Sequence, residues 1–273
     1  MIAYQFYYLS HYFFDLKVKE LFLQKILHEM KKILSIPLSI LAYLWFFIIL
    51  CLFQPIQWVC FNIFGYQAHK MSVDYMNFFL SHTTTFLFSN FKIENRELIP
   101  ADKPIIFVAN HQGLFDIVGF AWYFRKYHPK YVSKIELGKG IPSISYNLQH
   151  GGSVLIDRKD PKQALPLLKK MGEYININSR SVVIFPEGTR TRTGKPKPFV
   201  SNGLKILCKY APSAYVVPVT INNSWKIFRY GSFPLGIGNQ IRITVHSPIK
   251  VSECDFNTLF EKTEQVIVAD IIS

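Results

Sequence analysis

The 273-residue chain has 31 lysine and arginine residues against 18 aspartate and glutamate residues, which gives a formal net charge of +13. Because 49% of the residues are hydrophobic and only 18% are charged, the composition excludes a disordered chain and indicates one large α/β domain, alone or with an appended segment. The positive excess suits an anionic partner, either nucleic acid or an acidic membrane surface. The four cysteines form no CxxC pair and have no metal-ligand spacing.

The first patterned segment, residues 15–32, mixes charged side chains with leucine, isoleucine and methionine. This pattern predicts an amphipathic helix. The helix could lie at a membrane interface, or it could be a soluble helix docked on the rest of the protein. The pattern alone does not distinguish these two placements.

Residues 33–68 contain no charged side chain, and their core, residues 36–53, approaches the length that crosses the apolar part of a bilayer. Pro55 disfavours a continuing helix, so we expect the helix to break there. Two membrane geometries follow: a single span over about residues 33–53, or a shallow hairpin that returns to the face it left. Positive charge on both flanks favours the hairpin. A buried core helix of a soluble protein is the third alternative.

The remaining chain alternates short apolar runs with helical patterns, which predicts an α/β fold with a mostly parallel mixed sheet flanked by helices. We place a boundary between residues 89 and 103. Residues 1–95 then form an N-terminal amphipathic and membrane-embedded helical region, and residues 96–273 form the α/β domain. We predict strands at residues 105–109, 153–156, 181–185, 215–221 and 240–246, and helices at residues 115–124, 161–175, 202–210 and 256–269.

Polar residues follow three of these strands, and in open α/β sheets ligands bind at the carboxyl ends of strands. The first set is His111 and Asp116. Histidine suits general-base chemistry near neutral pH, and a carboxylate on its other ring nitrogen would fix the tautomer. A loop entering a helix can bring the two side chains together. The alternative is that Asp116 only caps the helix and His111 is an ordinary loop residue.

Two further sets follow the second and third strands. Arg158, after residues 153–156, could hold a phosphate by bidentate contacts, or it could form a surface ion pair. In the turn at residues 185–190, Gly188 lets a ligand approach the backbone, while Glu187 and Arg190 face it with opposite charges. The basic loop that follows is either solvated or a surface for phosphate and anionic headgroups. Pro218, inside a strand run, indicates an edge or a bulge.

Taken together, the blocks NHQGLFD, GSVLIDR, FPEGTRT and VVPV resemble the 1-acylglycerol-3-phosphate acyltransferase family, within the wider glycerolipid acyltransferases. The family pattern is NHxxxxD, GxxFI(D/E)R, FPEGTRS and a short V-x-P element, in that order. The resemblance covers residues 110–219. The chain departs from the pattern at Leu155, Thr191 and Gly113, where phenylalanine, serine and serine are common. These departures put the acyl-chain or acceptor preference in doubt rather than the reaction.

The resemblance implies transfer of a fatty acyl group from acyl-CoA or acyl-carrier protein to the free hydroxyl of 1-acylglycerol-3-phosphate, which gives phosphatidate for phospholipid biosynthesis. It implies that His111 is the general base and Asp116 its orienting partner, with Pro218 shaping the acyl-donor side. The residues it implies for acceptor binding are Arg158, Glu187, Gly188, Thr189 and Arg190. Acylation of glycerol-3-phosphate or of another lysolipid is the alternative, because the motifs do not separate these acceptors.

Direct transfer needs no protein nucleophile and no cofactor, and the sequence contains no GxSxG elbow, no HExxH motif and no Cys/His cluster. We expect a phospholipid membrane, a lysophospholipid acceptor and an acyl donor as partners, and a location on the cytoplasmic face of a membrane. We do not expect nucleic acid, since the charge is not gathered into a recognition helix. A hydrolase and a noncatalytic binder are the rival classes, and the oligomeric state is not predicted.

Overall fold

A computed structural model of the chain describes residues 2–157 and 159–272, with side chains from residue 18 onward within these ranges. Three helices come first: α1 (Ile2–Phe64), α2 (Tyr66–Ser81) and α3 (Thr83–Phe86). The strands that follow are β1 (Asn90–Glu94), β2 (Ile105–Ala109), β3 (Pro129–Lys134), β4 (Val154–Ile156), β5 (Ser181–Ile184), β6 (Tyr215–Asn222), β7 (Gln240–Val245) and β8 (Ile249–Lys250). The later helices are α4 (Phe115–Tyr123), α5 (Ile144–His150), α6 (Pro161–Asn178), α7 (Asn202–Tyr210) and α8 (Phe256–Ala269).

Helix α1 is continuous past Pro55, so the predicted break there is wrong. A proline inside a helix removes one backbone hydrogen bond. The flanking side chains Phe53 and Gln57 are buried against the rest of the protein, and this packing offsets the loss. The helix ends at Phe64, and Gly65, with φ of 80°, begins the reversal into α2. Glycine adopts this left-handed conformation without steric cost.

Helices α1 and α2 form an antiparallel hairpin. The ring of Phe61 lies 5.5 Å from that of His69 near the turn, and Phe53 lies 6.0 Å from Phe79 further away. In the last turn of α2, the backbone oxygen of Phe79 accepts a hydrogen bond from the indole of Trp45 at 2.9 Å. The hairpin in turn packs over α4 of the sheet domain.

The strands form one mixed sheet in the order β1-β7-β6-β2-β5-β3-β4, with β8 paired to β6. Neighbouring pairs are parallel except β6 with β7 and β6 with β8. The antiparallel ladder is interrupted opposite Pro218, between the pairs Val219–Val245 and Val216–Ile249. Strand β6 is paired with β2 on one side and with β7 and β8 on the other, so the alternative that Pro218 marks an edge strand is wrong. The Pro218 carbonyl accepts a hydrogen bond from the N–H of His246, and the predicted bulge stays a prediction.

Strand β2 lies near the middle of the sheet and is buried on both faces. Ile105, Phe107 and Ala109 pack on the face covered by α4, whereas Ile106 and Val108 pack on the face covered by α6, α7 and α8. Burying a side chain of this size contributes roughly 1.5–3 kcal/mol, which explains why an uninterrupted apolar run occurs here. The predicted mixed, mostly parallel α/β sheet with helices on both faces is confirmed.

Three strands, β1, β3 and β8, were not predicted. Strand β3 contains two lysines and β1 contains charged residues and an asparagine, so neither shows the apolar run that marks the central strands. The division of the chain at residues 95 and 96 stays a prediction. Strand β1 already belongs to the sheet although it precedes this point.

Over residues 18–64, α1 is long and apolar enough to cross a membrane by length and composition, with a mean hydropathy of 2.5 in its most apolar window. Only 28% of that window is buried inside the protein. Side chains 18–34 are all exposed, but His28 and Lys32 of this segment contact the ring of Tyr230. The placement of the predicted amphipathic segment therefore stays a prediction. Residues 15–17 of that segment lie outside the described side chains.

Candidate active site

The site is built at the carboxyl end of β2, where Asn110 and His111 leave the sheet. The His111 Nδ1 lies 2.8 Å from Oδ2 of Asp116, the second residue of α4. The side chain of Asp116 is fully buried and that of His111 is 13% exposed. A loop that enters a helix therefore brings the two residues together, although their spacing of five would separate them on a continuous helix.

Asp116 also holds the loop that precedes α4. The same oxygen, Oδ2, accepts hydrogen bonds from the backbone N–H groups of Gln112 at 2.6 Å and Gly113 at 2.8 Å. The alternative that Asp116 only caps the helix is wrong, because it is the second residue of α4 and no described side chain caps this helix. With Nδ1 held by a carboxylate, the proton of neutral His111 resides on Nδ1 and Nε2 is left as the basic nitrogen.

The backbone of His111 is fixed on both sides by the loop that follows β5. Its N–H donates to Oε1 of Glu187 at 2.7 Å, and its carbonyl accepts from the N–H of Thr191 at 2.9 Å. The ring of His111 stacks on that of Phe185, with centroids 4.2 Å apart and an interplanar angle of 21°. Ring and backbone are therefore both restrained, which preorganises the basic nitrogen.

Glu187 is 7% exposed, and both of its carboxylate oxygens are engaged. While Oε1 binds the His111 N–H, Oε2 accepts from the N–H of Lys197 at 2.8 Å. Burial raises the pKa of this carboxyl above its ordinary value, although the two backbone donors oppose that shift. Its contacts are thus with two loops of the protein, and its predicted contact with an acceptor stays a prediction.

Asn110 is a supporting residue whose role the sequence did not reveal. Its side-chain amide donates to the carbonyl of Ile221 at 2.8 Å and accepts from the Ile221 N–H at 2.7 Å. This pair of bonds ties the end of β2 to β6. The stacking of Phe185 on His111 was also not predicted. Asn110 belongs to the NHxxxxD block and Phe185 to the FPEGTR block. Membership of these blocks is the one sequence signal that could have marked the two residues as part of the site.

Gly188, Thr189 and Arg190 lie in the turn that follows β5. Gly188, with φ of 69°, allows the tight turn in which its N–H donates to the carbonyl of Phe185. Thr189 and Arg190 are exposed, and the Thr189 hydroxyl accepts a hydrogen bond from the Lys197 ammonium. Arg158 lies outside the described residues. Strand β4, which precedes it, is three positions from β2 in the sheet, or about 14 Å at the usual strand spacing.

Gly113, where the family pattern has serine, is packed against the loop after β6. A Cβ at residue 113 would lie 2.6 Å from Oγ of Ser224, too close for an ordinary contact. The Ser224 hydroxyl is buried and has no hydrogen-bond partner among the described residues. Within the part of the chain that the structure describes, no group of three or more His, Cys, Asp or Glu side chains is arranged to hold a metal ion.

Comparison with known proteins identifies a family to which the chain is similar. The family model described as "Acyltransferase" matches residues 90–222, a range that contains His111, Asp116 and Glu187. This match covers just under half of the chain. The family resemblance inferred from the four ordered blocks is confirmed.

Two curated relatives show the extent of this similarity. "1-acyl-sn-glycerol-3-phosphate acyltransferase BAT2, chloroplastic" of Brassica napus is 32% identical over 164 residues, which are 60% of this chain and 46% of that protein. "1-acyl-sn-glycerol-3-phosphate acyltransferase" of Helicobacter pylori is 39% identical over 126 residues, which are 45% of this chain and 50% of that protein. The chain thus spans about half the length of these curated relatives.

A solved structure has the same fold. The 1-acyl-sn-glycerophosphate acyltransferase PlsC from Thermotoga maritima superposes with a TM-score of 0.68 over 85% of this chain and 93% of its own. The two sequences are 23% identical. This similarity supports the α/β architecture and the N-terminal helical segment of this chain.

Proposed function

We propose that the chain is a 1-acylglycerol-3-phosphate acyltransferase that transfers a fatty acyl group to the free hydroxyl of its acceptor and releases phosphatidate. The observation that carries the proposal is the His111–Asp116 pair, with 2.8 Å between Nδ1 and Oδ2, at the carboxyl end of a central strand. The printed names of the Brassica napus and Helicobacter pylori relatives support the same acceptor.

The chemistry follows from this geometry. Nε2 of His111 removes the proton of the acceptor hydroxyl, and the hydroxyl oxygen attacks the thioester carbonyl of the acyl donor. The carbon–sulfur bond then breaks, and the thiolate leaves and takes up a proton. A positioned general base of this kind contributes typically about 10²–10⁴ in rate, and Asp116 stabilises the imidazolium that forms.

The acceptor's phosphate is proposed to bind on the basic side of the site. Arg190, Arg192, Lys195 and Lys197 are exposed on the loop that follows Glu187. Guanidinium groups bind phosphate through paired hydrogen bonds, so Arg190 is the proposed contact on this loop. Arg158, together with Gly188 and Thr189 at the turn, completes the proposed acceptor site. No cofactor takes part, and acyl-CoA or acyl-carrier protein is the proposed donor.

We further propose that α1 attaches the protein to a membrane by lying along its surface. Contacts with the sheet domain occur along most of the helix, from His28 against Tyr230 to Asn62 against Tyr146. These contacts extend over about 50 Å at 1.5 Å per residue, so the whole apolar stretch has one face on the domain. A helix held in this way along the domain favours the hairpin over a single span.

The opposite face of α1 supports the same placement. It exposes a run of large apolar side chains that would enter the lipid: Ile33, Leu34, Ile40, Leu41, Leu44, Phe47, Ile48, Leu52 and Ile63. Amphipathic attachment of this type scales with the apolar area buried in the interface. The acceptor lipid would then meet the enzyme on the proposed surface, the cytoplasmic face of a membrane.

The decisive experiment follows thiol release and phosphatidate formation together, using the purified chain, lysophosphatidate and a long-chain acyl-CoA. Wild type should give both products in equal amounts. His111→Ala should give neither, because it removes the base. His82→Ala is the matched control, since His82 is an exposed histidine at the end of α2 and none of the contacts of His111 described above involves it.

Four results distinguish the proposal from its alternatives. Thiol without phosphatidate contradicts transfer to this acceptor and indicates hydrolysis. If glycerol-3-phosphate or another lysolipid is acylated faster than lysophosphatidate, that compound is the acceptor and the proposed one is wrong. Turnover only with acyl-carrier protein selects that donor. Equal activity in wild type and His111→Ala would remove the proposed role of the histidine.

A further inference from the structure

A cavity of about 40 Å³ lies between α2, α5 and the beginning of β3. Lys130, the second residue of β3, is part of its lining, whereas His111 lies just beyond the carboxyl end of β2. Strands β2, β5 and β3 run parallel, so the cavity and His111 lie at opposite edges of the sheet. The proposed acyl transfer therefore gives this cavity no role.

The first notable group in the cavity is the ammonium of Lys130, a residue that is only 5% exposed. It donates hydrogen bonds to the hydroxyl of Tyr66 and to the carbonyl of Gly151, and neither of these acceptors carries a charge. The described residues provide no ion-pair partner for Lys130, because the nearby Asp74 is paired with Lys70. An ammonium buried without a counter-charge is costly, and an anion would remove that cost.

The second group is His69, which is 1% exposed and also lines the cavity. Neither of its ring nitrogens has a hydrogen-bond partner among the described residues. Buried polar groups of native proteins are nearly always satisfied, by protein, water or ligand. The imidazole of His69 therefore offers an unused hydrogen bond at the wall of the cavity.

The surrounding charges favour an anion as the missing partner. Burial, followed by the charges of Lys70 and Arg180, lowers the pKa of Lys130 to about 7. Burial and the charge of Lys130 likewise lower the pKa of His69 to about 4. The lining contains a single acid, Asp74, and its carboxylate is already used by Lys70. The cationic side chains near this space, Lys70, Lys130 and Arg180, thus outnumber the one acid of its lining, Asp74.

We propose that this cavity binds a small oxyanion of the phosphate class, held by the Lys130 ammonium and by the rings of His69 and His128. The size fits: about 40 Å³ corresponds to roughly three water positions at 10–15 Å³ each. That volume accepts the oxygens of one phosphate group but not a nucleotide or an acyl chain. Such an ion would connect the tip of the α1–α2 hairpin to the edge of the sheet.

The test measures thermal unfolding of the full chain in detergent while inorganic phosphate replaces chloride at constant ionic strength. Phosphate should raise the unfolding midpoint of wild type, because a ligand that binds only the folded state stabilises it. Lys130→Met keeps the side-chain volume and removes the charge, and should weaken the response by about tenfold or more. His69→Phe should also weaken it. Lys103→Met, at an exposed lysine, is the matched control and should respond as wild type does.

A parallel titration uses a water-soluble short-chain phosphatidate and distinguishes free phosphate from a lipid headgroup. A response to inorganic phosphate alone that Lys130→Met reduces identifies the free ion. An equal or larger response to the short-chain phosphatidate, reduced in the same variant, identifies the headgroup. Binding at the proposed acceptor site would instead persist in Lys130→Met. No response in wild type, or an unchanged response in both variants, would overturn the proposal.

Discussion

The carboxylate of Glu187 accepts a hydrogen bond from the backbone N–H of His111, with 2.7 Å between Oε1 and N. Because Oε2 of the same carboxylate binds the N–H of Lys197, one buried side chain joins the loop after β2 to the loop after β5. Glu187 therefore positions the base by holding the backbone of His111. It makes no hydrogen bond to the His111 ring.

Glu187→Gln should lower turnover more than it lowers acceptor affinity. The amide retains one accepting oxygen and presents an NH₂ group to the other backbone donor, which leaves that donor unsatisfied at a cost of about 1–3 kcal/mol. Steady-state kinetics should show a fall in kcat with a smaller change in the acceptor KM. A rise in KM at unchanged kcat would instead indicate that Glu187 contacts the acceptor directly.

Asp116→Asn should reduce kcat by about 10²–10⁴, because the amide no longer holds the His111 tautomer or stabilises the imidazolium. The loop should also loosen, since Oδ2 accepts from Gln112 and Gly113. Thermal unfolding measured beside kcat separates the two effects. A large loss of kcat with a retained unfolding midpoint supports the orienting role, whereas an unchanged kcat would contradict it.

Gly113→Ser should destabilise the chain by about 1–3 kcal/mol, because overpacking forces neighbouring groups to move. The added Cβ would lie 2.6 Å from the Ser224 hydroxyl. The double variant Gly113→Ser with Ser224→Gly removes that atom and should recover part of the lost stability. Unfolding midpoints of the two single variants and the double variant measure this coupling. Strict additivity would show that the two side chains do not interact.

Phe47→Lys should weaken the binding of the chain to phospholipid vesicles, because Phe47 is 59% exposed on the apolar face of α1. Ile177→Lys is the matched control, since Ile177 is 79% exposed on α6, outside the hairpin. Sedimentation with vesicles should show less binding for the first variant and wild-type binding for the second. Equal binding of both variants would contradict attachment through this face.

Stability in phosphate-free buffer should fall as the pH is lowered from about 6.5 to 4. Burial lowers the pKa of His69 to about 4 and that of His128 to about 3, so in this range the unfolded state binds protons that the folded state does not. Each pKa unit corresponds to about 1.4 kcal/mol, so the two groups together account for several kcal/mol. Unfolding midpoints should fall less steeply with acid in His69→Phe. An identical slope would show that His69 does not contribute.

The sequence predicted the central part of the sheet and the pair His111–Asp116 because both depend on local patterns. Strand β2 is a run of five buried apolar residues, and the motif that follows it contains both members of the pair. The preceding strand, β1, could not be predicted in this way. Its pattern is half exposed, and only its pairing with β7 makes it a strand.

The same reasoning explains the other differences. Continuity of α1 through Pro55 depends on tertiary packing by Phe53 and Gln57, which no local rule for proline includes. The basic cavity joins Tyr66 and His69 of α2 to Lys130 of β3, across some sixty residues of chain. Neither segment resembles a motif. The side chains of the two segments line one cavity only after α2 has packed beside the sheet.

Strand β1 pairs in parallel with β7, from Asn90 opposite Gln240 to Glu94 opposite Thr244. The side chains of the last of these pairs are joined by a hydrogen bond across a sequence separation of 150 residues. During synthesis at about 5–20 residues per second, β1 therefore waits on the order of ten seconds or more without its neighbour. The hairpin of α1 and α2 emerges before either strand, so the ribosome presents the most apolar part of the chain long before the sheet can close. The apolar side chains of the hairpin therefore stay uncovered by the sheet for that interval.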